Sequence, residues 1–129
     1  MLKIDTDKMI ISVTRGDTFS IVFSAVTGEG NTFVPVDGDV LTFGVAKKLG
    51  ATPIIQKSNV MDGDTEAFWT ITISDDDWIV DGQKLKTGDY VFDVELTTAT
   101  GRDTIIGKTD EISPAFRVWG EVSEYEEEE

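Results

Sequence analysis

Three short stretches of this sequence carry side chains of the kind that bind or react. Arg15-Gly16-Asp17 is the tripeptide that adhesion ligands present to integrins. Asp62-Gly63-Asp64 and Asp75-Asp76-Asp77 gather carboxylates that could offer oxygens to calcium. Each has a plainer reading. Glycine followed by aspartate is ordinary turn chemistry, since glycine accepts a left-handed backbone and aspartate bonds nearby main chain. On that reading Asp17 bonds a local amide and Arg15 pairs with a carboxylate. Calcium wants six to eight oxygens, usually from a loop of alternating acids closed by a glutamate, and neither run has that spacing. Asp62-Gly63-Asp64 then makes a turn. Asp75 to Asp77 open a short helix that Ser74 can cap, with acids at its positive end. No metal and no cofactor is expected.

Catalysis has few residues to work with. The chain contains neither histidine nor cysteine. That removes the commonest general base, the commonest zinc ligand and any thiolate nucleophile. A paired-carboxylate site or a serine with a lysine base is what remains. The acids, however, fall in turns, on polar strand faces and in the C-terminal run. The glycines punctuate turns and form no phosphate cradle. We expect no enzymatic activity.

Aromatic side chains are the remaining candidates. Phe68 and Trp119 lie opposite the main apolar sets of their strands, and Trp78 sits near a chain reversal. Rings exposed on a sheet are candidate partner contacts. The alternative is that they cover the ends of the core or pack under the segment around Phe33.

What positions these residues is a series of strands. Gly88 to Leu96 is the clearest: Tyr90, Phe92, Val94 and Leu96 share one face, while Val91, Asp93 and Glu95 share the other. That period of two marks a half-buried antiparallel strand. Met9 to Thr14, Thr18 to Ser24, Val40 to Lys47, Ile54 to Lys57, Glu66 to Ile73, Thr104 to Lys108 and Ala115 to Val122 continue the theme. Thr32 to Val36 holds Pro35, which donates nothing to a ladder, so it reads as an edge segment. Gly44, in mid-strand, leaves room for a bulge or a close approach. Asp81-Gly82 stops the short helix, and Ala99 to Asp103 makes a hairpin. Strands this short, with turns every eight to twelve residues, imply an all-β, immunoglobulin-like antiparallel β-sandwich of about seven to nine strands with one short helical turn. We expect residues 1–8 to form an N-terminal arm, 9–122 the sandwich and 123–129 an acidic mobile tail.

The chain has 129 residues, which suits one core. Its 25 acids against 11 bases give a net charge of −14. Such a chain repels nucleic-acid phosphates and anionic membrane surfaces, so neither is expected as a partner. The N-terminus lacks the apolar stretch of a signal peptide, and no apolar run reaches the roughly 20 residues of a spanning helix.

Several of these residues fall in a recognisable order. They are Val13-Thr14-Arg15-Gly16-Asp17-Thr18, then Gly38-Asp39, Phe43, Val45 and Ile54-Ile55-Gln56-Lys57. Asp77, Gly88-Asp89-Tyr90-Val91-Phe92-Asp93-Val94, Asp103-Thr104-Ile105 and Phe116-Arg117-Val118 follow. The chain resembles, from about Met9 to Val122, the small immunoglobulin-like domains of phages and prophages of Gram-positive hosts. It is similar to the N-terminal domain of the baseplate upper protein family. The resemblance implies a structural or assembly component of a tail or baseplate, with other phage structural proteins or further copies of itself as partners. It also implies a life in the host cytoplasm during assembly and then in the virion. It brings no catalytic residues. The rival expectation is a carbohydrate-binding module that stacks cell-wall glycans on Trp78, Trp119 or Phe68.

Overall fold

The computed structural model describes residues 2–27, 29–63 and 68–121. Asp64, the start of the strand expected from Glu66, Val122 and the acidic tail lie outside the described residues. Eleven strands follow in order: β1 (Leu2–Asp5), β2 (Ile10–Thr14), β3 (Phe19–Phe23), β4 (Val40–Ala46), β5 (Ile55–Val60), β6 (Trp69–Ile73), β7 (Ile79–Val80), β8 (Gln83–Lys84), β9 (Gly88–Thr98), β10 (Gly101–Ile106) and β11 (Ala115–Trp119). A 3-10 turn at Asp75–Trp78 separates β6 from β7. The chain is an all-β sandwich.

β9 is the longest strand and organises the larger sheet. One edge pairs with β4 along its length, from Val40↔Thr97 to Ala46↔Val91. The other edge is shared: β11 takes Gly88 to Val91, and β10 takes Val94 to Thr98. The seven-stranded sheet runs β1-β2-β11-β9-β4-β5, with β10 on β9. Burial follows the alternation: Tyr90, Phe92, Val94 and Leu96 are buried, while Asp89, Asp93 and Thr97 face solvent.

Facing this sheet is a pair, β3 and β6, with Phe19↔Ile73 through Phe23↔Trp69 in register. Ile21, Phe23, Trp69, Ile71 and Ile73 meet the large sheet in one core. Phe43 stands at its centre, with ring centroids 6.0 Å from Phe23, 5.7 Å from Phe92 and 6.0 Å from Phe116. Tilted and edge-on contacts of this kind add to area burial. Removing a ring so placed typically costs about 3–5 kcal/mol.

Three features depart from the alternation-based expectation. The large sheet is mixed, because β11 runs parallel to β2, from Ala115↔Ile10 to Trp119↔Thr14. Alternation assigns faces but carries no strand direction, so it could not reveal this. The described residues form eleven strands, a little above the seven to nine expected. Two of the additions, β7 and β8, form a two-residue hairpin around Asp81 and Gly82, with φ of 53° and 78°. Paired left-handed residues are the primed turn that matches strand twist, and Asp-Gly suits it. A third, β1, lies within the segment read as an arm and pairs with β2 from Leu2↔Val13 to Asp5↔Ile10. Finally, Thr32 to Val36 is not a strand. It joins the fold through a single bridge, Val26↔Thr32, and through the Phe33 ring stacked on Trp69 at 6.3 Å.

Candidate interaction surface

The Arg15–Asp17 turn points its cation inward. Arg15 is only 5% exposed. Its Nη1 donates to the Leu85 carbonyl at 2.8 Å, and Nε donates to Glu121 Oε1 at 3.3 Å. Asp17 is half-buried, and its amide donates to the Thr14 carbonyl at 3.1 Å. The expected carboxylate partner of Arg15 is therefore present, and the tripeptide is a structural corner rather than a displayed ligand.

The acidic runs are likewise committed to local structure. The Asp77 carboxylate accepts the Ser74 amide at 2.9 Å and pairs with Lys57 at 3.2 Å. Asp75 accepts the Thr18 hydroxyl at 3.3 Å. Gly63 donates its amide to Asp37 at 2.8 Å, which ties down the turn at Asp62. Among the described residues no three acidic groups gather in a metal-binding arrangement.

Of the three aromatic candidates, Trp78 needs correcting. It is 2% exposed, so it presents no ring to a partner. Its ring stacks on Phe116 at 6.3 Å and lies 6.5 Å from Phe19, and its indole N–H donates to the Asp17 carbonyl at 2.8 Å. A place near a chain reversal does not expose this ring, because the 3-10 turn tucks it between the sheets. Trp119 is 51% exposed, on the outer face of the large sheet. Phe68 is 40% exposed, immediately before β6 and on the side of Thr70. These two rings belong to opposite sides of the sandwich and do not converge.

Around Trp119 the outer face of the large sheet is mostly short and polar. Trp119 stands opposite Thr14, and Arg117 opposite Ser12 on one side and Asp89 on the other. Arg117 Nε donates to Asp89 Oδ1 at 2.9 Å. Farther along this face a groove of about 170 Å³ lies over Gly44, with Leu49, Pro53 and Pro114 among its walls and Lys48 and Lys108 at its rim. Gly44 is opposite Asp93, and a Cβ on Gly44 would stand 3.3 Å from Asp93 Oδ1. The mid-strand glycine thus marks a close approach, as expected. The Asp93 carboxylate makes no hydrogen bond or ion pair among the described residues, although its main chain pairs with Gly44 in the ladder. Asp93 is exposed, but partial desolvation pushes its carboxyl above the usual range, and the neighbouring charge of Glu95 pushes the same way. Alternation on β9 put Asp93 on the polar face, but only the loops beyond β4 and β10 turn that face into a groove.

Comparison with protein-family models, with curated proteins and with solved structures finds no match.

Proposed function

We propose that this chain is a non-enzymatic structural or assembly component of a phage or prophage particle, associated with the tail or baseplate. It would act through protein–protein contacts with other structural proteins or with copies of itself. The observation that carries this reading is Trp119: a half-exposed indole on an open sheet face, beside the Arg117–Asp89 pair. Tryptophan and arginine are the side chains that most often anchor interfaces. The resemblance to phage immunoglobulin-like domains points the same way. A net charge of −14 keeps free copies apart until a complementary surface is met.

Mass spectrometry of purified particles from a host carrying the gene tests the reading. The protein should appear in the particle, and Trp119→Ala should reduce its incorporation. Absence from particles, together with a lone monomer in light scattering at high concentration, overturns it.

A second reading, a carbohydrate-binding module, keeps two of its three rings exposed, Trp119 and Phe68, on opposite sides of the sandwich. Trp119 offers the apolar plane on which a sugar stacks. Titration with cell-wall glycans separates the two. Binding that disappears in Trp119→Ala favours the module.

A further inference from the structure

Among the described residues the small sheet has two strands where the large one has seven, and one edge of β3 has no neighbour. Among the described residues nothing pairs with that edge. The outer edge of β6 has no ladder partner among the described residues either, but β5 lies beside it, with Lys57 paired to Asp77 in the turn after β6. Beside β3 the sandwich gapes instead. A cleft of about 230 Å³ opens there, lined by Ile4, Met9, Ile21, Phe23, Phe92 and Ile106. Apart from Thr6 and Ser24 its walls are hydrocarbon or aromatic.

Natural sheets guard a free edge with lysine, proline, a bulge or a charge. The other strands near the rim follow this rule. β1 carries Lys3 and Asp5, β5 carries Lys57, and β10 carries Arg102 and Asp103 with a register shift after Thr104. β3 has none of these. From Thr18 to Gly28 the sequence has no charged residue and no proline, in a chain that is 28% charged. Val22, on the outward side of β3, is 60% exposed.

We propose that β3 is a docking edge for one extended segment of a partner protein, with alternating apolar side chains and basic flanks. Each element of that description comes from the site. An unpaired strand edge offers alternate main-chain N–H and C=O groups, which only another extended backbone can satisfy in series. The cleft beneath takes every second side chain and rewards hydrocarbon. The charge selects the flanks, since a chain at −14 attracts lysine and arginine. It also disfavours a second copy, which carries the same −14. Size argues against a globular partner as the essential contact: a five-residue edge is far shorter than the roughly 800 Å² per partner of a standard interface requires. The proposal does not depend on the virion reading, because a strand-docking edge would serve any assembly.

The test uses the full chain and labelled peptides of about eight residues. One has alternating isoleucine and threonine between lysines, a second has glutamate in place of lysine, and a third is the first with alternate amides N-methylated. Fluorescence anisotropy should show saturable binding of the lysine peptide. The methylated peptide should bind at least about tenfold more weakly, because it cannot complete the ladder. The glutamate peptide should also be weaker, by a margin that shrinks in about 1 M salt. Ile4→Lys, at an exposed position on the cleft wall, should weaken the lysine peptide about tenfold, with circular dichroism confirming the fold. No saturable binding of the lysine peptide overturns the proposal. So does equal binding of the methylated peptide, or dimerisation of the protein alone through β3. Particle mass spectrometry tests the virion reading separately, so either can fail without the other.

Discussion

Trp78 donates its indole N–H to the main-chain carbonyl of Asp17 at 2.8 Å, which joins the 3-10 turn to the corner after β2. The bond and the Phe116 stack come from one side chain, so substitution separates them. Trp78→Phe keeps a ring and loses the donor, and should cost about 1–2 kcal/mol in urea unfolding. Trp78→Ala loses both and should cost about 3–5 kcal/mol.

Arg15 reaches the Leu85 carbonyl and Glu121 from a buried position. Its removal leaves a partly buried carboxylate without its cation. Arg15→Ala should therefore destabilise by about 3–5 kcal/mol. Glu121→Gln keeps the shape and some hydrogen bonding, and should cost about 1 kcal/mol. Because the guanidinium is shielded, both losses should change little between low and high salt. Denaturant midpoints at two salt concentrations check this.

The three tryptophans differ in access to solvent: Trp69 and Trp78 are buried and Trp119 is half exposed. Acrylamide should quench one part of the fluorescence easily and leave the rest protected. Trp119→Phe should abolish the accessible part and leave stability within about 0.5 kcal/mol of the parent. A partner that covers Trp119 should protect the same component.

Two groups give the stability a pH dependence of known sign. Burial raises the Tyr90 phenol above 10.0, with the Arg15 guanidinium working against it. The folded state then holds its proton while the unfolded chain loses it. This contribution is complete below pH 10.0 and is lost as pH rises through the raised value. Asp93 behaves the same way lower on the scale. Its contribution is complete below 3.8 and is lost as pH rises through its raised value. Asp93→Asn should remove that decline and make the protein slightly more stable at neutral pH. Unfolding free energies measured from acid to neutral pH will show it.

Much of the architecture could be read from the sequence, for a physical reason. Side chains on an extended backbone alternate between two environments, so β9, β3 and β4 announced their buried faces. The hairpin at Ala99 to Asp103 was equally direct, whereas Asp81-Gly82 was legible only as the stop of the short helix and not as the turn of a second hairpin. Partners across space were harder. The parallel neighbour of β2 is β11, a hundred residues away, and no local pattern encodes that. Trp78 shows the same gap, because its burial depends on Phe116 and Phe19 arriving from other strands. The open edge of β3 is an absence of a neighbour among the described residues, visible only after the other strands have been placed.

Gly44 and Asp93 make a coupled pair across β4 and β9. Gly44→Ala should be harder to accommodate with Asp93 present than with alanine there. A double-mutant cycle should give a coupling of about 0.5 kcal/mol or more. Additive effects would mean that the Asp93 side chain swings clear without cost.

The parallel alignment of β2 and β11 has a mechanical consequence. Suppose tension is applied upstream of β1 and downstream of β11. Leu2 and Trp119 lie at the same end of the ladder, so β1 peels away bond by bond and releases a short length of slack. The load then reaches β2 at its far end, and β2 and β11 are pulled past each other lengthwise. All the bonds between them resist together, so the chain would yield softly at first and then stiffen.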